Sequence, residues 1–252
     1  MKIRILGSGT STGVPQIGCE CEVCASQDPR DKRLRASVLI EIDEVRLLVD
    51  CGPDFRQQVL GLPFEKIDGV LVTHEHYDHV GGLDDLRPFC CFGAIPVFVE
   101  HQVAIKLGQR MPYCFIDKTY PGVPNIFLKQ IQPGESFTVR GVEICPIVVM
   151  HGALPILGYR IGRLAYITDM LSMPEESYEQ LDGIEILIIN ALRLKAHPTH
   201  QTLDDALAVV KRLHPKVTYL MHMSHHMGLH AEIQRRLPDT VFLAYDGLEI
   251  ER

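Results

Sequence analysis

Apolar positions along this chain fall into short runs separated by polar turns, a rhythm of strands interleaved with a few helices. Met1 to Gly9 alternates apolar and polar side chains and reads as a strand running into the turn Gly7-Ser8-Gly9-Thr10-Ser11-Thr12-Gly13. Ala36 to Ile42 and Val45 to Asp50 are β-rich runs split by Asp43-Glu44, the pattern of a tight hairpin. Val70-Leu71-Val72-Thr73 is a buried-strand run ending at His74, and a helix is expected from Asp78 to Phe89, with Val80, Leu83 and Leu86 on one face and Pro88 near its end. Short β-rich runs follow at Val97 to Val99, Ile126 to Leu128 and Val142 to Met150. The stretch from His101 to Glu135 carries no motif. Further strands are expected at Gly158 to Ile161, Leu164 to Thr168, Ile184 to Asn190, Val217 to Met221 and Val241 to Tyr245, with helices at Pro174 to Leu181 and Leu203 to Leu213. Two mixed sheets facing one another with helices outside, an α/β sandwich, account for this order. No linker divides the chain, so residues 1–252 read as a single domain.

Composition narrows the function. Of 252 residues 46 % are hydrophobic, and 25 basic against 32 acidic side chains leave a formal net charge of -7 without a basic cluster. Tight, sequence-independent binding to nucleic acid is therefore not expected. The longest apolar stretch, Ile184 to Leu192, is interrupted by Glu185 and Asn190 and falls far short of the roughly 20 residues a bilayer demands. Charges interrupt the first residues where a secretion signal would be apolar, so the cytoplasm is the expected compartment. In that reducing setting the eight cysteines read as thiols or metal ligands rather than disulfides. The glycine-rich first turn lacks GxGxxG spacing and leads into Val14-Pro15 rather than a helix, which argues against a dinucleotide fingerprint.

The segment that carries chemistry is His74-Glu75-His76-Tyr77-Asp78-His79. Three imidazoles and a carboxylate placed after a buried strand suit zinc, manganese or iron. By strand alternation His74 and His76 can face one point while Asp78 and His79 turn toward a second. This HxHxDH, followed by Gly81-Gly82, resembles the motif of the metallo-β-lactamase superfamily. The resemblance implies a four-layer αββα sandwich with a binuclear site where the sheets meet. His151, Asp169 and His222 each follow a β-rich run and match the later metal motifs of that superfamily. By the same resemblance His74, His76 and His151 hold one metal, Asp78, His79 and His222 the other, and Asp169 bridges them. Two divalent ions, two aspartates and one hydroxide would leave about one net positive charge for an anionic substrate.

A second cluster lies in Gly18-Cys19-Glu20-Cys21-Glu22-Val23-Cys24, whose CxCxxC supplies three thiolates for a tetrahedral ion and lacks a fourth ligand. Together with His222-Met223-Ser224-His225 it resembles the cyclic-ribose-phosphate phosphodiesterase family of the carbon-phosphorus lyase pathway. That resemblance implies a structural zinc loop near residues 18–25, held by Cys19, Cys21, Cys24 and His225. It also implies two catalytic divalent ions, manganese or zinc with iron as a third choice. The implied reaction is hydrolysis of a small cyclic phosphodiester by a hydroxide between the ions, with Asp78 in the catalytic centre and His200 as the acid that protonates the leaving oxygen near its ordinary pKa. His197 is the lesser candidate for that acid. A tRNA 3′-processing endonuclease is disfavoured because only seventeen residues separate His151 from Asp169. A thioester or lactam hydrolase and a non-catalytic metal-binding accessory protein remain alternatives. The expected partner is a small anionic phosphodiester, with no stable nucleic-acid partner and no membrane; a homodimer is left open. Arg33, Arg35 and Arg193 read as solvated surface charge, and Cys51, Cys90, Cys91, Cys114 and Cys145 as buried or half-buried thiols.

Overall fold

A computed structural model describes residues 1–115 and 122–251. The motif-free stretch from His101 to Glu135 lies partly outside the described residues. Fourteen strands are described: β1 (Lys2–Gly7), β2 (Ser37–Ile42), β3 (Val45–Val49), β4 (Gly69–Leu71), β5 (Ile95–Val99), β6 (Ile126–Gln130), β7 (Phe137–Val139), β8 (Val142–His151), β9 (Leu154–Ile161), β10 (Leu164–Ile167), β11 (Ile186–Asn190), β12 (Val217–Met221), β13 (Val241–Leu243) and β14 (Glu249–Glu251). They form two seven-stranded sheets, ordered β14-β1-β2-β3-β4-β5-β6 and β13-β12-β11-β10-β9-β8-β7. Within each sheet an antiparallel flank passes into a parallel run, β3 to β6 in one and β10 to β13 in the other.

The sheets face each other across one apolar layer. Ile3, Ile5, Val38, Ile40, Leu47, Val49 and Leu71 from the first sheet meet Leu157, Tyr159, Leu164, Tyr166, Ile188 and Met221 from the second. Alternate residues of the same strands, such as Leu48 and Val70 or Leu187 and Ile189, point outward to a helix layer. Each fully buried aliphatic side chain contributes about 1.5–3 kcal/mol. The αββα sandwich expected from the pattern is thus the observed architecture. Its helices are α1 (Glu22–Ala25), α2 (Phe55–Val59), α3 (Tyr77–Val80), α4 (His101–Arg110), α5 (Pro112–Phe115), α6 (Glu175–Gln180), α7 (Leu203–Leu213) and α8 (His230–Gln234).

The expected helix from Asp78 to Phe89 is not continuous. One turn, α3, stops at Gly81, and a 3-10 segment runs from Leu83 to Phe92 around Pro88. The break has a steric cause: a Cβ at Gly82 would lie 2.0 Å from the Gly52 carbonyl oxygen, so the chain passes too close to the Cys51-Gly52 backbone to carry a regular helix there. The Asp43-Glu44 hairpin forms as expected, with Asp43 at positive φ. Helix α4 and the short strands β7 and β14 had no counterpart in the pattern. No helix among the described residues is long and apolar enough to cross a membrane.

Candidate functional site

In both sheets the parallel strands point their carboxyl ends at the same edge of the sandwich, the place where open α/β sheets build their sites. Asp50 follows β3, Thr73 and His74 follow β4, Asp169 follows β10 and His222 follows β12. Asp50, Asp169 and His222 all take left-handed backbone, with φ of 60°, 55° and 54°. Only a reversal at the strand end turns these side chains back into the cleft, and such strain in non-glycine residues collects at functional sites. His151 ends β8 itself and sits at the β8/β9 turn, paired with Leu154.

The residues of HxHxDH and the three downstream candidates come together. The rings of His74 and His76 lie 4.5 Å apart, those of His76 and His151 5.3 Å, and those of His79 and His222 5.6 Å. His79 Nε2 stands 3.2 Å from Asp78 Oδ2 and 3.2 Å from Asp169 Oδ2, and His222 Nε2 3.1 Å from Asp169 Oδ1. One donor atom from each of Asp78, His79, Asp169 and His222 lies within 4.8 Å of all the others, and the same holds for His151, Asp169 and His200.

The hydrogen bonds behind these rings fix which nitrogen faces inward. His79 Nδ1 donates to Asp50 Oδ2 at 2.7 Å, His151 Nδ1 to the Thr199 carbonyl at 3.0 Å, and His74 Nδ1 to Thr73 Oγ1 at 3.0 Å. Thr73 Oγ1 in turn donates to Asp50 at 2.9 Å. Each imidazole then presents an unprotonated Nε2 to the cleft, the arrangement that outer carboxylates and carbonyls impose on metal-ligating histidines. His74 Nε2 faces His76 Nδ1 at 3.0 Å. His79 Nε2 and both ring nitrogens of His222 are buried without a hydrogen-bond partner. Buried lone pairs aimed at one another and at carboxylates are costly unless a cation lies between them, so this donor set fits divalent metal ions.

The electrostatics agree in sign. Burial, and after it the charge of His79, hold His74 well below the ordinary imidazole range. Burial works against the charge on Asp169 and Asp78, yet the neighbouring imidazoles His222 and His79 outweigh it and keep both carboxyls ionised. His200 departs from expectation. Burial first, then His222, push it down to about 3, so it is a neutral imidazole at pH 7 rather than one near its ordinary pKa. Its ring lies 4.5 Å from that of His151 and 5.2 Å from that of His222, and its Nδ1 is 3.7 Å from Asp169 Oδ1. It stands among the candidate ligands, not apart from them. His197 lies one ring further out, 5.1 Å from His200.

Cys19, Cys21, Cys24 and His225 also converge, with one donor atom from each within 4.8 Å of the others. The Cys19 and Cys21 sulfurs each lie 3.2 Å from His225 Nδ1. This tetrad fits a four-coordinate ion with sulfur-rich ligands. Behind it, the side chain of Arg33 is fully buried, contrary to the surface reading. It donates to the carbonyls of Ser224 and Gly228 at 3.0 and 3.3 Å and pairs with Asp31 at 3.3 Å, and Asp31 also accepts from the His230 amide. Arg33 therefore ties the cysteine loop to the loop that carries His222 and His225. Arg35 pairs with Asp54, and Cys91 is exposed rather than half-buried. Pattern reading passed over Asp50 and Arg33. Asp50 did leave a trace, a lone carboxylate closing an apolar strand.

A mixed αββα sandwich whose strand ends gather histidines and aspartates defines a metal-dependent hydrolase. The chain belongs to the β-lactamase superfamily: the model of the Beta-lactamase superfamily domain matches residues 45–223. A solved structure described as a new diphosphatase from the PhnP family is 40 % identical, with a TM-score of 0.92, and the match covers 100 % of this chain and 97 % of that one. A Porphyromonas gingivalis protein named octanoyltransferase is 46 % identical over 251 residues, 99 % of this chain and 51 % of its own length. This chain thus spans about half of that relative. Coenzyme PQQ synthesis protein B of Methylorubrum populi is 40 % identical over 224 residues, 77 % of this chain and 74 % of its own.

Proposed function

We propose that this protein hydrolyses small phosphodiesters, with five-membered cyclic phosphates such as 2′,3′-cyclic nucleotides or ribosyl 1,2-cyclic phosphate as the first substrate class. His74, His76 and His151 would hold one divalent ion and Asp78, His79 and His222 the other, with Asp169 between them. Bound there, the ions would supply Lewis acidity toward a phosphoryl oxygen and water activated at neutral pH. The chain's own residues do the rest. Asp50, Thr73 and the Thr199 carbonyl hold the imidazoles in the tautomer that faces inward. His200, neutral and beside Asp169, is placed to pass a proton to the leaving oxygen once an anionic substrate raises its basicity. The Cys19, Cys21, Cys24 and His225 tetrad would hold a structural zinc. The observation that carries the reading is the convergence of buried, unpartnered ring nitrogens on two aspartates.

The match to the PhnP-family diphosphatase favours a second reading at the same site, cleavage of a phosphoanhydride, which asks the same in-line displacement at phosphorus. A long tRNA substrate gains no support, because the β9/β10 hairpin occupies the stretch between His151 and Asp169 and leaves no arm there. The name octanoyltransferase belongs to a chain twice as long, so an octanoyl thioester enters only as a comparison substrate. The test is turnover of 2′,3′-cyclic AMP, a dinucleoside diphosphate and an octanoyl thioester by manganese-loaded protein and by His76→Ala prepared identically. Turnover of the cyclic diester that vanishes in the variant supports the first reading. Turnover of the anhydride alone moves the assignment to the second, and turnover of the thioester alone overturns both.

A further inference from the structure

Next to the candidate active site, the loop after β11 carries Arg193 and Lys195. The Arg193 side chain does not trail into solvent. Its Nε donates to the Lys195 carbonyl at 3.1 Å and its Nη2 to the Ala196 carbonyl at 2.6 Å. A guanidinium has five N–H donors, so two bonds fix its plane and three donors remain. The loop itself is anchored, since the Leu203 amide donates to the Arg193 carbonyl and the Leu192 carbonyl accepts from Ser224 on the His222 loop. Two residues beyond Lys195, the His197 ring leads by 5.1 Å to His200, which leads by 4.5 Å to His151. On the other flank His226 stacks against His225 at 4.0 Å. The positive charge of Arg193 is felt at both His197 and His226, which places the guanidinium between the two clusters.

This chain has an excess of acidic residues, yet among the described residues neither Arg193 nor Lys195 has a carboxylate within ion-pairing distance. Other cations around the opening are taken: Lys106 pairs with Glu75 and Arg35 with Asp54. A rigid, outward-facing guanidinium with a lysine beside it and imidazoles on either side matches the fork geometry of a phosphate. We infer that Arg193, assisted by Lys195 and His197, forms a subsite for a second phosphate group of the substrate, one that is not itself cleaved. The inference rests on the reading above, that a phosphoryl group occupies the histidine-aspartate cluster. It narrows the substrate class to small phosphoesters that carry a further phosphate.

Calorimetric binding to the metal-loaded protein tests this with two nucleotides that differ only in the distal group, 3′-AMP and adenosine 3′,5′-bisphosphate. The wild type should bind the bisphosphate at least about tenfold more tightly, the scale of a charge-assisted hydrogen-bond pair. Arg193→Met should bring that ratio to within about twofold. Arg193→Lys should recover part of it, because a point charge replaces the fork. Arg163→Met, a substitution at an exposed arginine paired with Glu185, should keep the wild-type ratio. A wild-type ratio near one, or a full ratio retained in Arg193→Met, overturns the subsite while 3′-AMP binding and cyclic diester turnover leave the phosphodiesterase reading intact. Failure of both nucleotides to bind overturns the two together.

Discussion

The two side-chain clusters are built on opposite principles. Around Asp169, seven side chains arrive from four strand ends in two sheets, and most of them are buried and braced by a second group such as Asp50 behind His79. Around His225, three sulfurs come from one short loop with Cys21 exposed, and the contacts that gather them are those to the histidine itself. The first cluster is pre-shaped by the fold, whereas the second depends on what it holds. A pre-shaped site loses function when a ligand is removed and keeps its structure. A site shaped by its ion loses structure first.

The largest expected effect breaks the first cluster directly. Asp169→Asn or His76→Ala should reduce turnover by well over the 10–100-fold that outer-sphere partners cost, with an unchanged far-UV spectrum. Retention of a tenth of wild-type activity would remove that residue from the centre. Next comes the brace: Asp50→Asn should lower activity or metal affinity by about 10–100-fold, seen as a higher metal concentration for half-maximal rate. Arg33→Met joins the two clusters in one experiment, because it leaves Asp31 buried without its partner. Thermal or urea unfolding should show a loss of about 3–5 kcal/mol. Cys21→Ser should lose one metal equivalent, show lowered activity and keep the other two equivalents in elemental analysis. Unchanged metal content in that variant would sink the tetrad as a metal site. The smallest effect is away from both clusters. Thr202 caps α7 by a reciprocal bond with Asp205, and Thr202→Ala should cost about 1 kcal/mol.

The same contrast explains what was legible in the chain. HxHxDH and CxCxxC are local, so spacing alone exposes them. His151, Asp169 and His222 could be found because strands end where ligands must begin. Asp50 escaped because its role lies in a contact 29 residues away with His79. Arg33 escaped because nothing local distinguishes a fully buried arginine from a solvated one; its partners Ser224 and Gly228 sit nearly two hundred residues on. The helix after His79 was overrun because apolar spacing does not register how closely Gly82 passes Gly52. His200 was placed in the right loop, but its depth among His151, Asp169 and His222 is a property of packing and not of pattern. Strands β7 and β14, three residues each, are too short to show alternation.

One pairing near the start of the chain has a consequence for evolution. Strand β14 lies against β1 with Lys2 opposite Glu251, so both ends of the fold leave the molecule at one sheet edge. Lys2 is at the far end of β1 from the Ser8 turn that bonds Met223, roughly 17 Å of strand away from the cleft. A second polypeptide unit can be joined at that corner, before or after this one, without crossing the cleft or stretching either cluster. The Porphyromonas gingivalis relative, nearly twice as long as the stretch it shares, is a fusion this topology accommodates. The architecture works as a cartridge: its chemistry faces one way and its splice point the other.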